Sequence, residues 1–187
     1  MSVFGTRLRY GAVAQALHWA TAILVIAAFM YGPGGSEERV YSAARDFDRQ
    51  LHETLGLSLL AVVAVRLAWR AVDAVPDDPP VPAWMRALSK GVQGALYALL
   101  VLVPLTAIAG AWLEGHPLTL LGNARIGPPI GEAHSVGSAI ASIHTWLGDA
   151  ILWVAGVHAA AALFHHFVLR DGVLRAMLPG RSEGIGE

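Results

Sequence analysis

Hydrophobic residues along the chain fall into four long runs that are separated by shorter polar segments. The runs cover about residues 11–31, 51–71, 89–113 and 137–169. Each is long enough to cross the hydrocarbon core of a bilayer, which needs about 20 helical residues. Because a chain in lipid must satisfy its backbone hydrogen bonds internally, the runs predict four membrane-spanning α-helices. We therefore predict an all-α fold, an integral membrane four-helix bundle that forms a single domain over residues 1–187.

Polar and helix-breaking residues between the runs support these boundaries. Glycine and proline at residues 32–35 close the first run, and four prolines within residues 73–82 exclude a helix after the second. Pro104 predicts a kink inside the third helix. Residues 114–136 contain several glycines and prolines and are predicted to be irregular. The fourth run is longer than a bilayer requires, so one of its ends should project from the membrane.

Basic residues near the helix ends predict the orientation. Nine of them fall on one side of the membrane: Arg7, Arg9, Arg66, Arg70, Arg86, Lys90, Arg170, Arg175 and Arg181. Four fall on the other side: Arg39, Arg45, Arg49 and Arg125. Since the cytoplasmic ends of membrane helices carry the excess of Lys and Arg, both termini are predicted to be cytoplasmic.

Composition narrows the chemistry that the chain can support. A net charge of −1 offers no basic face for nucleic acid. The absence of cysteine excludes disulfides, iron–sulfur clusters, thiolate zinc sites and c-type haem attachment. A bound metal would therefore depend mainly on histidine. The chain has eight: His18, His52, His116, His134, His144, His158, His165 and His166.

Two histidines of the fourth predicted helix share one face. His144 and His158 are 14 residues apart. That interval corresponds to about 21 Å along a helix and is about 40° short of four full turns. One of them therefore lies towards each side of the membrane. Imidazole is costly inside hydrocarbon, so such residues are functional candidates by default.

Histidines on the first two helices lie at matching depths. With the termini inside, His18 falls in the inner half of the first helix and His52 in the outer half of the second. The fourth helix starts outside, so His144 is outer and His158 inner. The depths predict two pairs, His52 with His144 and His18 with His158. For any single histidine, a hydrogen bond to a neighbouring helix is the alternative.

The other four histidines are predicted to lie outside the membrane core. His165 is seven residues past His158 but close to Arg170, which places it with His166 near the inner headgroups. Contact of either with a haem propionate or a quinone remains an alternative. His116 and His134 fall in the outer loop and are predicted to be ordinary surface residues.

Glycine recurs one turn after two of the paired histidines. Gly56 follows His52 and Gly148 follows His144, both in the pattern H-x-x-x-G. A glycine at that position lets a flat macrocycle approach the helix backbone. Simple helix–helix contact is the alternative, because small residues are common at membrane interfaces.

Paired histidines on separate helices suit the axial ligation of iron porphyrin. A zinc site would need three or four ligands at one level, and a transporter would be expected to show broken helices and a polar midplane cluster. Asp149 is the one clear midspan carboxylate, and either a structural role or a role in proton movement is compatible with its position. Two histidines fill both axial positions of iron, which favours electron transfer over oxygen chemistry. Two such haems would form an electron path across much of the bilayer.

With these residues in view, the chain resembles the bacterial cytochrome b561 family of dihaem inner-membrane proteins. The resemblance extends over about residues 9–179. The matching segments are Leu17-His18-Trp19, Leu51-His52-Glu53, Ile143-His144-Thr145, Gly156-Val157-His158-Ala159-Ala160-Ala161, Leu163-Phe164-His165-His166-Phe167, and the basic tail from Arg170-Asp171 to Met177-Leu178-Pro179.

The resemblance implies two b haems, each held by two histidines among His18, His52, His144 and His158. It also implies a bacterial inner-membrane location, exchange of electrons with ubiquinone, and an oxidoreductase of the kind that oxidises periplasmic superoxide to oxygen. A cationic funnel would attract superoxide. Four arginines could form one, but six carboxylates share that side: Glu37, Glu38, Asp46, Asp48, Glu114 and Glu132.

Two other functions remain open at this point. The chain could be a membrane anchor that relays electrons for a larger dehydrogenase or hydrogenase, or a histidine-based metal transporter. Besides membrane lipid and quinone, a second copy of the chain is a candidate partner. The sequence does not determine the oligomeric state.

Overall fold

A computed structural model describes residues 2–77 and 80–179. Asp78, Pro79 and Arg181, which contribute to the loop and orientation predictions, lie outside the described residues. The chain forms α1 (Ala12–Met30), α2 (Glu37–Val40), α3 (Asp46–Val72), α4 (Ala83–Leu113), α5 (His134–Phe164) and α6 (Val173–Met177), with a short 3₁₀ turn at Ala43–Arg45. In the described part of the chain, α1, α3, α4 and α5 are long and apolar enough to cross a membrane. The prediction of an all-α four-helix membrane bundle is confirmed.

Three of the spanning helices begin earlier than predicted. Helix α3 starts at Asp46, and acidic residues in its first turn, Asp46 and Asp48, suit the positive end of the helix dipole. Helix α4 starts immediately after Pro82, because proline blocks a helix interior but not its first turn. Pro104 is buried inside α4, which continues across it, and the kink stays a prediction.

The fourth spanning helix is long, as expected. Helix α5 begins at His134 and passes into a π-helical turn at His165–Leu169. Together they span 36 residues, about 54 Å at the helical rise, against about 30 Å for the hydrocarbon core.

The spanning helices pack as two pairs, α1 with α3 and α4 with α5, and a smaller contact between α3 and α4 joins the pairs. The shared core consists of Leu59 and Val63 from α3, Leu100 from α4 and Ile151 from α5. Gly110 permits the close approach of α4 to α5, since a Cβ there would lie 3.1 Å from the backbone nitrogen of Ala141.

The loop between α4 and α5, on the side predicted to be outer, contains a small hairpin where the sequence predicted irregular structure. Strands β1 (Leu118–Thr119) and β2 (Arg125–Ile126) pair antiparallel, with Leu118 opposite Ile126. Gly122 and Asn123 form the turn with positive φ angles of 83° and 64°, which these two residue types tolerate best. Two-residue strands carry too little periodic pattern to be predicted.

Candidate functional site

The two histidines on the predicted outer side approach each other across the bundle with their rings nearly perpendicular. The ring centroids of His52 on α3 and His144 on α5 are 6.0 Å apart, with an angle of 74° between the ring planes. The His52 Nδ1–H group donates to the Ala28 carbonyl at 2.7 Å, and the His144 Nδ1–H group donates to the Val103 carbonyl at 2.9 Å. Because a carbonyl only accepts, each ring carries its hydrogen on Nδ1 and keeps the Nε2 lone pair for a ligand.

The inner histidines form a second pair of similar geometry. The ring centroids of His18 on α1 and His158 on α5 are 6.3 Å apart, with an interplanar angle of 67°. Here Nδ1 of His18 faces the Arg66 guanidinium at 2.9 Å. A guanidinium only donates, so Nδ1 accepts and the hydrogen of the neutral ring lies on Nε2. For Nε2 of His18 to bind a metal, the ring hydrogen would have to lie on Nδ1. Nδ1 would then need a hydrogen-bond acceptor in place of the Arg66 guanidinium.

Both ring separations fit axial ligation of one metal ion. Two metal–nitrogen bonds of about 2 Å, with about 1.1 Å from each nitrogen to its ring centre, place the centroids about 6 Å apart. The outer pair fits in separation and in tautomer, and the inner pair fits in separation.

Open space lies beside both candidate glycines. A Cβ built at Gly56 or Gly148 would meet no atom of the described residues within 4 Å, although both glycines are half-buried. By contrast, Gly110 packs directly against α5, and a Cβ built there would lie 3.1 Å from the Ala141 backbone nitrogen. The space therefore suits a flat group next to His52 and His144 better than direct helix contact.

The chain is similar to known proteins along most of its length. The family described as prokaryotic cytochrome b561 matches residues 9–180. Cytochrome b562 of Cereibacter sphaeroides is 34% identical over 171 residues, which cover 88% of this chain and 92% of that protein. The chain belongs to the prokaryotic cytochrome b561 family. Cytochrome b561 homolog 2 of Escherichia coli (strain K12) is 26% identical over 189 residues, 100% of both chains. The probable superoxide oxidase CybB of Yersinia pestis is 27% identical over 176 residues, 91% of this chain and 96% of that protein.

Membership confirms the broad predictions. The chain is a multi-pass bacterial membrane protein of a cytochrome family that binds b-type haem. The number of haems, the residues that hold them and the electron partners are taken up under the proposed function.

Two arginines on the predicted outer side of this cytochrome b561 chain are already paired with carboxylates. Arg45 contacts Asp48 at 3.0 Å, and Arg49 contacts Glu53 at 3.2 Å and also bonds Asp46. Glu53, next to His52, accepts a further hydrogen bond from the backbone of the hairpin at Thr119. These pairs neutralise two of the four arginines that could form a cationic funnel.

Two of the four arginines on the predicted outer side have no carboxylate partner in the described residues. Within residues 2–77 and 80–179, Arg39 and Arg125 form no ion pair. They are therefore the outer arginines whose charge is least compensated by neighbouring carboxylates.

His116 and His134 share Glu37 as a hydrogen-bond partner; His134 is exposed, as expected for a surface residue, and His116 is half-buried. His116 Nε2–H donates to Glu37 Oε1 at 2.7 Å, and His134 Nε2–H donates to Glu37 Oε2 at 2.9 Å. The hydrogen bond from His116 lowers the pKa of Glu37, while burial and the Glu37 charge raise the pKa of Glu114. The sequence analysis missed this cluster because its members come from separate loops without a shared spacing.

His165 has a partner that the sequence analysis missed. Its Nδ1–H group donates to Asp171 Oδ2 at 2.5 Å, across the π-helical turn. The chain reverses at Arg170, which has a left-handed φ of 53°. His166 lines a nearby cavity of about 280 Å³ together with Phe167, Arg170, Asp171 and Arg175.

Asp149 lies on a different face of α5 from the paired histidines. It is about 140° round the helix from His144. Its side chain is exposed, and it makes no hydrogen bond or ion pair within the part of the chain that the structure describes. This location does not support a role as a hydrogen-bonded structural residue within one copy of the chain.

Proposed function

We propose that the chain is a dihaem membrane cytochrome that transfers single electrons. His52 and His144 would hold the outer haem, and His18 and His158 the inner haem. The observation that carries the proposal is the pair of ring separations, 6.0 Å and 6.3 Å, at two levels of one bundle.

Each histidine has a defined part in this proposal. The carbonyls of Ala28 and Val103 hold the outer rings in the tautomer that presents Nε2. Helix α5 supplies one ligand to each level, and α3 and α1 supply the others. When bound, the haems supply one-electron redox chemistry. Two histidines at each haem would leave no place for oxygen to bind, so the two sites would support one-electron transfer rather than oxygen chemistry.

Ubiquinone is the proposed acceptor and superoxide the proposed outer donor. Two superoxide anions would each lose one electron and become oxygen, and ubiquinone would take up both electrons and two protons to become ubiquinol. Support comes from the Yersinia pestis relative, whose name is probable superoxide oxidase. On the outer side, Arg39 and Arg125 are the arginines available to attract the anion.

The ligand assignment is tested by haem content. We would purify the protein in detergent and measure b haem per chain by the pyridine haemochrome assay. Two haems are expected in the unmodified chain, falling towards one in His52→Ala and in His18→Ala. His166→Ala is the matched control and should keep both. Full occupancy in both test variants would contradict the assignment.

The substrate assignment needs a separate assay. Superoxide-dependent reduction of a ubiquinone analogue should be catalysed by the haem-loaded protein and be lost in His52→Ala. Arg39→Gln and Arg125→Gln should slow the reaction mainly at low ionic strength, because screening weakens steering at higher salt. A fully haem-loaded protein without this activity would exclude superoxide as the donor and favour the relay function of a membrane anchor.

A further inference from the structure

A mixed carboxylate and imidazole cluster lies on the outer side, apart from the histidine pairs. Glu37 comes from α2, Glu114 from the C-terminal end of α4, and His116 from the loop that follows. One ligand atom from each lies within 4.8 Å of the others. All three side chains are half-buried, so they are partly removed from competing water.

The two carboxylates of this cluster have no lysine or arginine partner within residues 2–77 and 80–179. The contacts to Glu37 are the imidazoles of His116 and His134. Two carboxylates at this distance repel each other, and a divalent cation would remove that repulsion.

Neighbouring residues hold the cluster in place. Tyr41 stacks on His116 with ring centroids 3.5 Å apart and an interplanar angle of 21°. His134 holds the second oxygen of Glu37 at 2.9 Å. Gly137 lets the start of α5 approach Glu114, since a Cβ there would lie 2.7 Å from its backbone nitrogen. Partners of this kind fix the orientation of metal ligands in known sites.

We propose that Glu37, Glu114 and His116 bind one divalent transition metal ion of the zinc class. One imidazole nitrogen and two carboxylate oxygens are ligands that Zn²⁺ accepts in tetrahedral sites, with the fourth position open to water. The ion would replace the hydrogen between His116 Nε2 and Glu37 Oε1, which are now 2.7 Å apart. These two atoms would separate by about 0.6 Å, because tetrahedral ligands at 2.0–2.1 Å from the ion lie about 3.3 Å apart.

Metal binding would join two outer segments. Glu37 belongs to the connection between α1 and α3, whereas Glu114 and His116 belong to the connection between α4 and α5. A shared ion would therefore fasten the two connections together.

The test is zinc binding by tag-free, chelator-treated, haem-loaded protein, measured by isothermal titration calorimetry. One Zn²⁺ per chain is expected, with a higher thermal midpoint in its presence. Glu37→Gln, Glu114→Gln and His116→Asn should each abolish the stoichiometric binding. His134→Asn removes an orienting contact and should weaken affinity by about 10–100-fold.

Matched controls separate the site from general effects. Glu38→Gln, next to Glu37 on α2, and His166→Asn, on the other side of the bundle, should bind zinc like the unmodified chain. Haem content per chain reports whether each variant is folded. Absence of binding by the unmodified chain, or unchanged binding by folded His116→Asn, would overturn the proposal.

Discussion

The two candidate haem levels differ at single side chains. Backbone carbonyls fix the tautomers of His52 and His144, whereas His18 accepts a hydrogen bond from Arg66. Arg66 also lies over the Tyr97 ring, with its guanidinium carbon 5.4 Å from the ring centroid. The inner level therefore has a cation beside one ligand, and the outer histidines have only neutral partners for Nδ1.

Replacing Arg66 should change the inner haem selectively. Reduction adds an electron, and a neighbouring cation favours the reduced state. Arg66→Leu should therefore lower one of the two haem midpoint potentials by tens of millivolts, where 59 mV corresponds to about 1.4 kcal/mol. Redox titration followed by optical absorption measures this. Arg86→Leu, on the same predicted side, is the control. Equal shifts of both haems would contradict a local effect of Arg66.

Gly148 offers a second test with a single side chain. Its open space would be filled by a leucine, which should exclude the outer haem and leave the inner one. Haem content of Gly148→Leu should fall towards one per chain. Trp153→Leu, at a position of α5 that is 79% exposed, should retain two. Normal haem content in Gly148→Leu would show that the macrocycle does not occupy this space.

Functional residues could be predicted from the sequence where they lie on long, regular helices. The histidine pairs could be predicted because residue number converts to depth and direction on a long helix. The structure brings all four together in the two expected pairs, and their role as haem ligands stays a prediction. The contacts of Glu37 with His116 and His134 could not be predicted, because loops have no fixed rise or rotation per residue.

At the scale of the helices, apolar runs located all four spanning elements, and errors were confined to their ends. Helix α3 extends beyond the apolar run because Asp46 and Asp48 are polar yet favourable in a first turn. A hydrophobicity pattern cannot detect such polar turns. The close contact of α4 with α5 could not be predicted either, since Gly110 is one of several glycines on α4 and the pattern does not show which of them packs against a neighbour.

Two glycines of α4 should respond differently to leucine. At Gly110 the new side chain would collide with the backbone of Ala141, and overpacking of this kind costs about 1–3 kcal/mol. At Gly91 no atom of the described residues lies within 4 Å of the new Cβ. Gly110→Leu should lower the thermal midpoint, followed by loss of haem absorbance, and Gly91→Leu should not. Equal stability of both variants would mean that α5 shifts to accommodate the change.

At the scale of the whole molecule, the candidate ligand pairs connect elements that otherwise touch little. Helices α1 and α3 form one packed pair, and α4 and α5 form the other. Each histidine pair takes one residue from the α1–α3 pair and one from α5 of the α4–α5 pair. The sequence predicted the four membrane-spanning helices but not which of them pack together. Packing between helices depends on side-chain shapes on several faces at once.

The predicted orientation can be measured because the chain has no cysteine. Single cysteines at two exposed serines provide a matched pair, Ser36→Cys between α1 and α3 and Ser2→Cys at the N-terminus. A membrane-impermeant maleimide should label Ser36→Cys in intact spheroplasts. It should label Ser2→Cys only after permeabilisation. The reverse pattern would show that the charge rule gave the wrong orientation.

His144 and His158 belong to one uninterrupted helix, α5, so a single rod sets the interval between the two candidate redox levels. Rearrangement of α1 or α3 can alter ring angles, but it leaves the spacing along α5 unchanged. The rate of electron tunnelling between the two levels would then not change when the outer connections move or bind a partner. Lengthening α5 by one residue between the histidines would add about 1.5 Å and rotate one ligand by about 100°. The bundle thus tolerates movement around this rod far better than a change in its length.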